Sequence, residues 1–282
     1  MKLWIQGARP RTLPAAVVPV AVGTAAVAPD VVWWRAAVAL VVAVALQVGV
    51  NYANDYSDGI RGTDASRVGP ARLVGGGMVA PVAVRWAAFG AFAVAAAAGL
   101  VLAIAVAPWL IAVGLACIIA AWFYTGGKRP YGYAGLGEVA VFVFFGLVAT
   151  SGTAFVQTQE ITALAVVAAV PVGLLASALL VANNLRDIAQ DQAAGKRTLA
   201  VRLGDRRAAW FYVVLVVAAL GVGLTMSVTV PWAPLTLASM ALAVPALWMA
   251  LSSLPKAPLL NQTARLHLLF GALLTIALAV SA

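Results

Sequence analysis

Apolar residues run in blocks of about 18–20 along this chain, with short clusters of polar and turn-forming residues between them. That block length is what a helix needs to cross the hydrocarbon core of a bilayer. The pattern predicts nine membrane spans, at roughly 12–28, 36–54, 82–104, 108–125, 136–156, 161–185, 208–228, 232–252 and 262–281. Turn chemistry supports the breaks: "APD" at 28–30, "AP" at 107–108, "GGKRPYG" at 126–132, "QTQE" at 157–160, "PWAP" at 231–234 and "PKAP" at 255–258. Ten-residue segments of strict alternation do not occur, which excludes a transmembrane β-barrel. The expected fold is an all-α polytopic membrane protein, a single domain over residues 1–282.

Composition agrees. The 282 residues are 64% hydrophobic and only 10% charged, too apolar for a soluble domain. Charge then supplies orientation. Lys2, Arg9 and Arg11 precede span 1. Arg61, Arg67, Arg72 and Arg85 fall between spans 2 and 3, and Lys128 and Arg129 between 4 and 5. Arg186, Lys196, Arg197, Arg202, Arg206 and Arg207 fall between 6 and 7, and Lys256 and Arg265 around the last turn. Of all the Lys and Arg, Arg35 alone belongs to the other side. This asymmetry puts the N-terminus in the cytoplasm and the C-terminus outside, at a cell membrane. The net charge of +9 is then a one-sided surface charge that meets anionic lipid, not a nucleic-acid site. The "AVA" at 25–27 is read as part of a retained first span, since eight more spans follow. Cys117, the single cysteine, and His267, the single histidine, read as packing and structural residues. Trp33 and Trp34 read as interface anchors.

Two polar patches stand at the ends of even-numbered spans. In "NYANDYSDGIRGTD" (51–64), Asn51, Asp55 and Asp58 are spaced i, i+4, i+7 and share a helix face bordered by Asn54. In "NNLRDIAQDQAAGKRTLAVRLG" (183–204), Asn183, Asp187 and Asp191 are spaced i, i+4, i+8, with Asn184 alongside. Even spans return to the same side, so the patches share one side of the membrane. N-x3-D recurs in both, and each is followed by Arg-x-Gly, a weak internal repeat. Carboxylates crowded at the edge of hydrocarbon repel one another, and a hard divalent cation with oxygen ligands relieves that cost. Mg²⁺ suits a few carboxylates and a shared phosphate. The bland alternative is capping and snorkelling acids at helix ends. Arg61, Lys128, Arg129, Lys196 and Arg197 stand close by in sequence, as a metal–diphosphate clamp requires; topology alone is the competing explanation for each.

"NDYSD" (54–58) and "RDIAQD" (186–191), each ending an even span of a nine-span chain, resemble the paired Asp-rich motifs of the UbiA superfamily of intramembrane prenyltransferases. "ARPRTLPAAVVPVAVG" (8–23) and "YTGGKRPYGYAGLGE" (124–138) are similar to its 1,4-dihydroxy-2-naphthoate polyprenyltransferase (MenA-type) branch. The chain departs from the pattern at Gly62, where many members carry a third acid, and at Asn183, where many carry Asp. The resemblance implies Mg²⁺-dependent transfer of a polyprenyl group from its diphosphate to 1,4-dihydroxy-2-naphthoate, with loss of pyrophosphate and CO₂. It implies that Asn51, Asn54, Asp55, Asp58, Asn183, Asp187 and Asp191 hold the metal. Arg61, Lys128, Arg129, Lys196 and Arg197 would bind diphosphate oxygens, with Lys128 and the four aspartates forming the catalytic set. Arg9 and Arg11 are candidates for the acceptor's carboxylate, and Tyr124, Tyr131 and Tyr133 for its pocket; charge topology and interface anchoring are the alternatives. The loops at 59–80, glycine-rich from 69 onward, and 126–135 could close over the site.

Other readings make different demands. The same chemistry with another aromatic acceptor, such as 4-hydroxybenzoate, differs only in pocket shape. A cation or phosphate transporter would place its ionisable groups near mid-membrane on broken helices, whereas these acids sit at one edge. A structural subunit gives no reason for two carboxylate patches.

Overall fold

The computed structural model describes residues 2–63 and 72–282. Within these residues all regular structure is helical. A short α1 (Lys2–Ala8) leads through a 3₁₀ turn into α2 (Pro14–Ala25). Then follow α3 (Trp33–Ile60), α4 (Pro81–Ala105), α5 (Leu110–Phe123), α6 (Gly137–Thr158), α7 (Ala163–Ala193), a short α8 (Leu199–Leu203), α9 (Asp205–Val228), α10 (Ala233–Leu251) and α11 (Ala257–Ser281). Seven of these are long and apolar enough to span a bilayer: α3, α4, α6, α7, α9, α10 and α11.

The other two predicted spans are shorter than expected. α2 has 12 residues and α5 has 14. They rise about 18 and 21 Å, against a hydrocarbon core of about 30 Å. Two further ends moved the other way. α3 runs on to Ile60 and α7 to Ala193, past the predicted ends at 54 and 185. Both polar patches therefore lie on continuous helix, which fixes the facing of their side chains. Arg67, the "RVG" at 67–69, Asp64 and the first part of the glycine-rich loop lie outside the described residues.

α7 is the central helix. Two thirds of its most apolar stretch is buried, more than for any other candidate span. It packs against α6, α9 and α11, and α3 packs along α4. The outer faces carry exposed Ile104, Trp86, Ile119, Val214 and Trp248, as expected where lipid replaces water. Without a hydrophobic drive between helices, close packing relies on small residues. α6 meets α7 at Gly146 and Gly173: a Cβ on Gly146 would come within 2.5 Å of the Gly173 Cα. The crossing lies in a π-helical stretch of α6, Phe142–Val148. At the end remote from the aspartates, Gln157 Oε1 accepts from Val32 N at 2.7 Å, and Arg35 donates to the Val156 and Gln157 carbonyls. Arg35, the one cation set apart by sequence, thus caps the C-terminal end of α6, where a positive charge is favoured.

Candidate active site

α3 and α7 both end in acids, which is unfavourable against the negative end of a helix dipole. Each acid is met by a donor. Asp55 is 1% exposed, and its two oxygens accept from the backbone N–H of Leu73 (3.0 Å) and Val74 (2.9 Å). Asp58 accepts from the Tyr133 hydroxyl and from Lys196 Nζ at 3.1 Å. The same ammonium lies 3.9 Å from Asp191 and 4.8 Å from the Tyr133 ring. Arg186 clasps Asp187 with two bonds, at 2.6 and 2.7 Å, and reaches Asn183 Oδ1 at 2.8 Å.

The asparagines are fixed just as firmly. Asn51 donates to the Ala8 carbonyl (2.9 Å) and to Thr12 Oγ1 (3.1 Å), which also receives Gln47. This ties the N-terminal segment to α3. Asn54 accepts from Thr125 at 2.7 Å, tying α3 to the segment after α5. Asn184 Nδ2 donates to Glu138 at 3.0 Å.

These side chains surround one cavity of about 570 Å³ between α3, α5, α6 and α7. Asp55, Asp58, Asp187, Asp191, Asn51, Asn54 and Asn183 all line it, as do Lys196, Arg9, Arg11, Tyr124 and Tyr131. Its other wall is apolar, with Ala43, Leu46, Cys117, Phe144, Phe145 and Leu179. The cavity is thus charged at the helix ends and greasy deeper in, the two solvents that a diphosphate head and a prenyl tail require.

Four predicted residues stand apart from this lining. Arg61 turns to the loop after α5, where its guanidinium donates to the Thr125 and Gly127 carbonyls and lies 5.3 Å from the Tyr133 ring. Lys128, Arg129 and Arg197 are exposed and do not line the cavity. The reason is local. Gly127 and Gly195 both have φ +73°; exposed Lys128 and Arg129 follow the first turn, and buried Lys196 and exposed Arg197 follow the second. Lys196 goes in and Arg197 goes out. Sequence reasoning missed Arg186 as a site residue, taking it for a topological charge, and missed Glu138, an acid inside an apolar span.

The tyrosines of the loop before α6 are held protonated. Burial pushes Tyr131 up to about 12. Tyr133 is raised further, first by burial and then by the Asp58 carboxylate beside it. Both stay hydrogen-bond donors at any physiological pH.

Among the described residues no three Asp, Glu, His or Cys side chains converge tightly enough to chelate an ion by themselves. The donor set nevertheless fits Mg²⁺, which takes one or two carboxylates and completes its shell with water and substrate phosphate oxygens. Four aspartates on two facing helices, with cations interleaved, provide that.

Comparison with known proteins agrees with this geometry. The profile of the UbiA prenyltransferase family matches residues 16–274. The chain is 54% identical to the 1,4-dihydroxy-2-naphthoate octaprenyltransferase of Mycobacterium tuberculosis, over 86% of this chain and 83% of that one. It is 39% identical to the Escherichia coli protein of the same description, over 77% of this chain and 73% of that one. The fold is similar to that of a UbiA homolog from Archaeoglobus fulgidus bound to GPP and Mg²⁺, with a TM-score of 0.74 at 15% identity, covering 98% and 99% of the two chains. With the family profile matched over residues 16–274 and 54% identity to a relative over 86% of its length, the chain belongs to the UbiA prenyltransferase family.

Proposed function

We propose that this prenyltransferase moves a polyprenyl group from polyprenyl diphosphate to 1,4-dihydroxy-2-naphthoate, releasing pyrophosphate and CO₂. The observation that carries this reading is the two-solvent cavity of a chain 54% identical to a 1,4-dihydroxy-2-naphthoate octaprenyltransferase. The diphosphate lies between α3 and α7 and the tail runs along the apolar wall toward lipid. Mg²⁺ bound with the diphosphate supplies neutralisation of its negative charge. Asp55, Asp58, Asp187 and Asp191, with Asn51, Asn54 and Asn183, are the oxygen donors that would hold it.

The chain's own groups do the rest. Lys196 and Arg186, which line the cavity and contact its aspartates, are placed to reach diphosphate oxygens and to stabilise charge as it develops on the leaving group. The C1–O bond of the allylic diphosphate breaks and its electron pair leaves with the pyrophosphate. An electron-rich ring carbon of the naphthalenediol forms the new bond to C1. Departure of the carboxyl group as CO₂ returns its bonding pair to the ring. Arg9 and Arg11, at the cavity edge, are placed for the acceptor's carboxylate. Apolar walls keep water from trapping the allylic cation. The charge asymmetry supports a cytoplasmic side for this end of the bundle and for the N-terminus.

Purified protein in detergent, given 1,4-dihydroxy-2-naphthoate, an allylic diphosphate and Mg²⁺, should yield prenylated naphthoquinol and CO₂, and none with EDTA. Pyrophosphate binding without that product would move the search to other aromatic acceptors. Absence of both pyrophosphate binding and product would overturn the reading.

A further inference from the structure

Glu138 is an acid that the mechanism above leaves without a task. It is 4% exposed, in the first turn of a membrane-spanning helix. An ionisable group in such a place is costly, and one that persists there is expected to do something. The chain builds its position deliberately. Gly135 has φ +81°, and a Cβ on Gly137 would come within 3.1 Å of Leu180 and 3.4 Å of the Tyr124 hydroxyl. Gly137 thus lets the start of α6 press against Leu180 of α7, and Gly135 supplies the left-handed turn before it. Ser177 Oγ then donates to the Glu138 carbonyl at 3.1 Å, locking that contact.

Among the described residues the carboxylate accepts one side-chain hydrogen bond, from Asn184 Nδ2 at 3.0 Å. Asn184 lines the cavity, whereas Glu138 does not. Asn184 precedes Asp187 by three residues on α7, so it lies about 4.5 Å deeper along the helix axis than the first aspartate. Phe144, Phe145 and Leu180 line the cavity as well. This is the level at which the charged end gives way to the apolar wall, where prenyl C1 and an aromatic ring must meet.

The chemistry of the pair selects its ligand. A carboxylate accepts, so it holds the amide by its N–H and leaves Asn184 Oδ1 for the cavity. An exposed carbonyl oxygen repels a diphosphate, which offers only acceptors, and has nothing to offer a hydrocarbon tail. It suits an O–H donor. We propose that Glu138 is a positioning residue that holds the Asn184 amide so that Oδ1 accepts a hydrogen bond from a ring hydroxyl of the aromatic acceptor. This inference rests on the proposed function and names a contact for its second substrate.

Steady-state kinetics of the purified full chain with 1,4-dihydroxy-2-naphthoate and one allylic diphosphate test it. In Asn184→Ala and Glu138→Leu the KM for the naphthoate should rise about five- to tenfold, as for one lost hydrogen bond, while the KM for the diphosphate stays put. Glu138→Gln, which keeps an acceptor oxygen for Asn184, should restore wild-type values for both. Should Glu138→Leu not fold, inhibition by 2-naphthoate decides. This analogue has the carboxylate but no hydroxyl, so its Ki should be equal in wild type and Asn184→Ala. The inference is overturned if both KM values move together, if neither moves, if Glu138→Gln behaves like Glu138→Leu, or if Asn184→Ala weakens 2-naphthoate as much as the diol. Wild-type protein that gives no product would instead overturn the proposed function itself.

Discussion

Lys196 Nζ stands 3.1 Å from Asp58 Oδ2, joining the ends of two helices 138 residues apart in the chain. Both side chains are buried, so solvent screens the pair little. Lys196→Met leaves Asp58, among the described residues, with the Tyr133 hydroxyl as its side-chain donor and removes a cation from the cavity. The KM for the prenyl diphosphate should rise about ten- to hundredfold, the range for loss of a charged hydrogen bond. Lys196→Arg should recover part of it. By contrast Lys128→Met and Arg197→Met, at exposed positions outside the lining, should shift that KM less than Lys196→Met does. Initial-rate kinetics at saturating acceptor separate these outcomes.

Asp55 carries stability as well as charge. Its carboxylate takes two backbone N–H groups from the segment that opens at Arg72, including that of fully buried Leu73. Asp55→Ala strands those donors, at about 1–3 kcal/mol for each that stays dry. A lower melting temperature in detergent is expected along with loss of activity. Asp55→Asn keeps one acceptor oxygen and should melt between the two. Equal melting of all three proteins would show that these bonds contribute nothing to the fold.

Tyr133 should act as a donor across the working pH range. Its folded-state pKa lies above the usual 10.0, because burial and the Asp58 carboxylate both disfavour the phenolate. Tyr131 is likewise raised, to about 12. For a group whose folded pKa is raised, the folded state holds its proton longer than the unfolded chain does. The stabilisation is complete below pH 10 and is lost as pH climbs through the folded value. Tyr133→Phe should therefore lower activity about equally at pH 7 and pH 9, without changing the shape of the profile between them. Above pH 10 the wild type should lose thermal stability faster than Tyr133→Phe. A new inflection between pH 7 and 9 in the wild type that vanishes in Tyr133→Phe would contradict this.

The residues themselves explain which parts of this architecture were readable. Seven of the nine apolar blocks are helices long enough to cross a bilayer, because about twenty apolar residues in a row leave few other choices; the other two are helices of 12 and 14 residues. Asn51, Asp55, Asp58, Asp187 and Asp191 come together because 3.6-residue periodicity survives to the ends of α3 and α7. Lys196 and Arg197 were indistinguishable in sequence, yet one is 8% exposed and the other lies on the surface. Both follow the turn at Gly195, and turn geometry is not periodic. Glu138 and Asn184 were missed as a pair because they are 46 positions apart and meet only through helix packing. Arg186 was hidden by its abundance class, since cations at one membrane face are expected for topology alone.

The Gly146–Gly173 crossing is a close backbone-to-backbone contact of the bundle and yields a stability prediction independent of chemistry. A Cβ on Gly173 would sit 2.8 Å from Phe142 Cδ2 and 3.0 Å from the Gly146 Cα; one on Gly146 would meet backbone at 2.5 Å. The obstacle to Gly146→Ala is backbone, which cannot swing aside, whereas Gly173→Ala first meets an aromatic ring that can. Gly146→Ala should thus cost more than Gly173→Ala, despite alanine's better helix propensity, with overpacking at about 1–3 kcal/mol. Because Phe144 and Phe145 of the same π-helical stretch line the cavity, α6 displaced by Gly146→Ala should also open the apolar wall. Thermal unfolding in detergent reads the first effect. The second appears as a raised KM for the prenyl diphosphate that grows with tail length, while Mg²⁺–pyrophosphate binding at the aspartates is unchanged. If Gly173→Ala were the more damaging of the two, the ring of Phe142 and not the paired backbones would be the rigid element of the crossing.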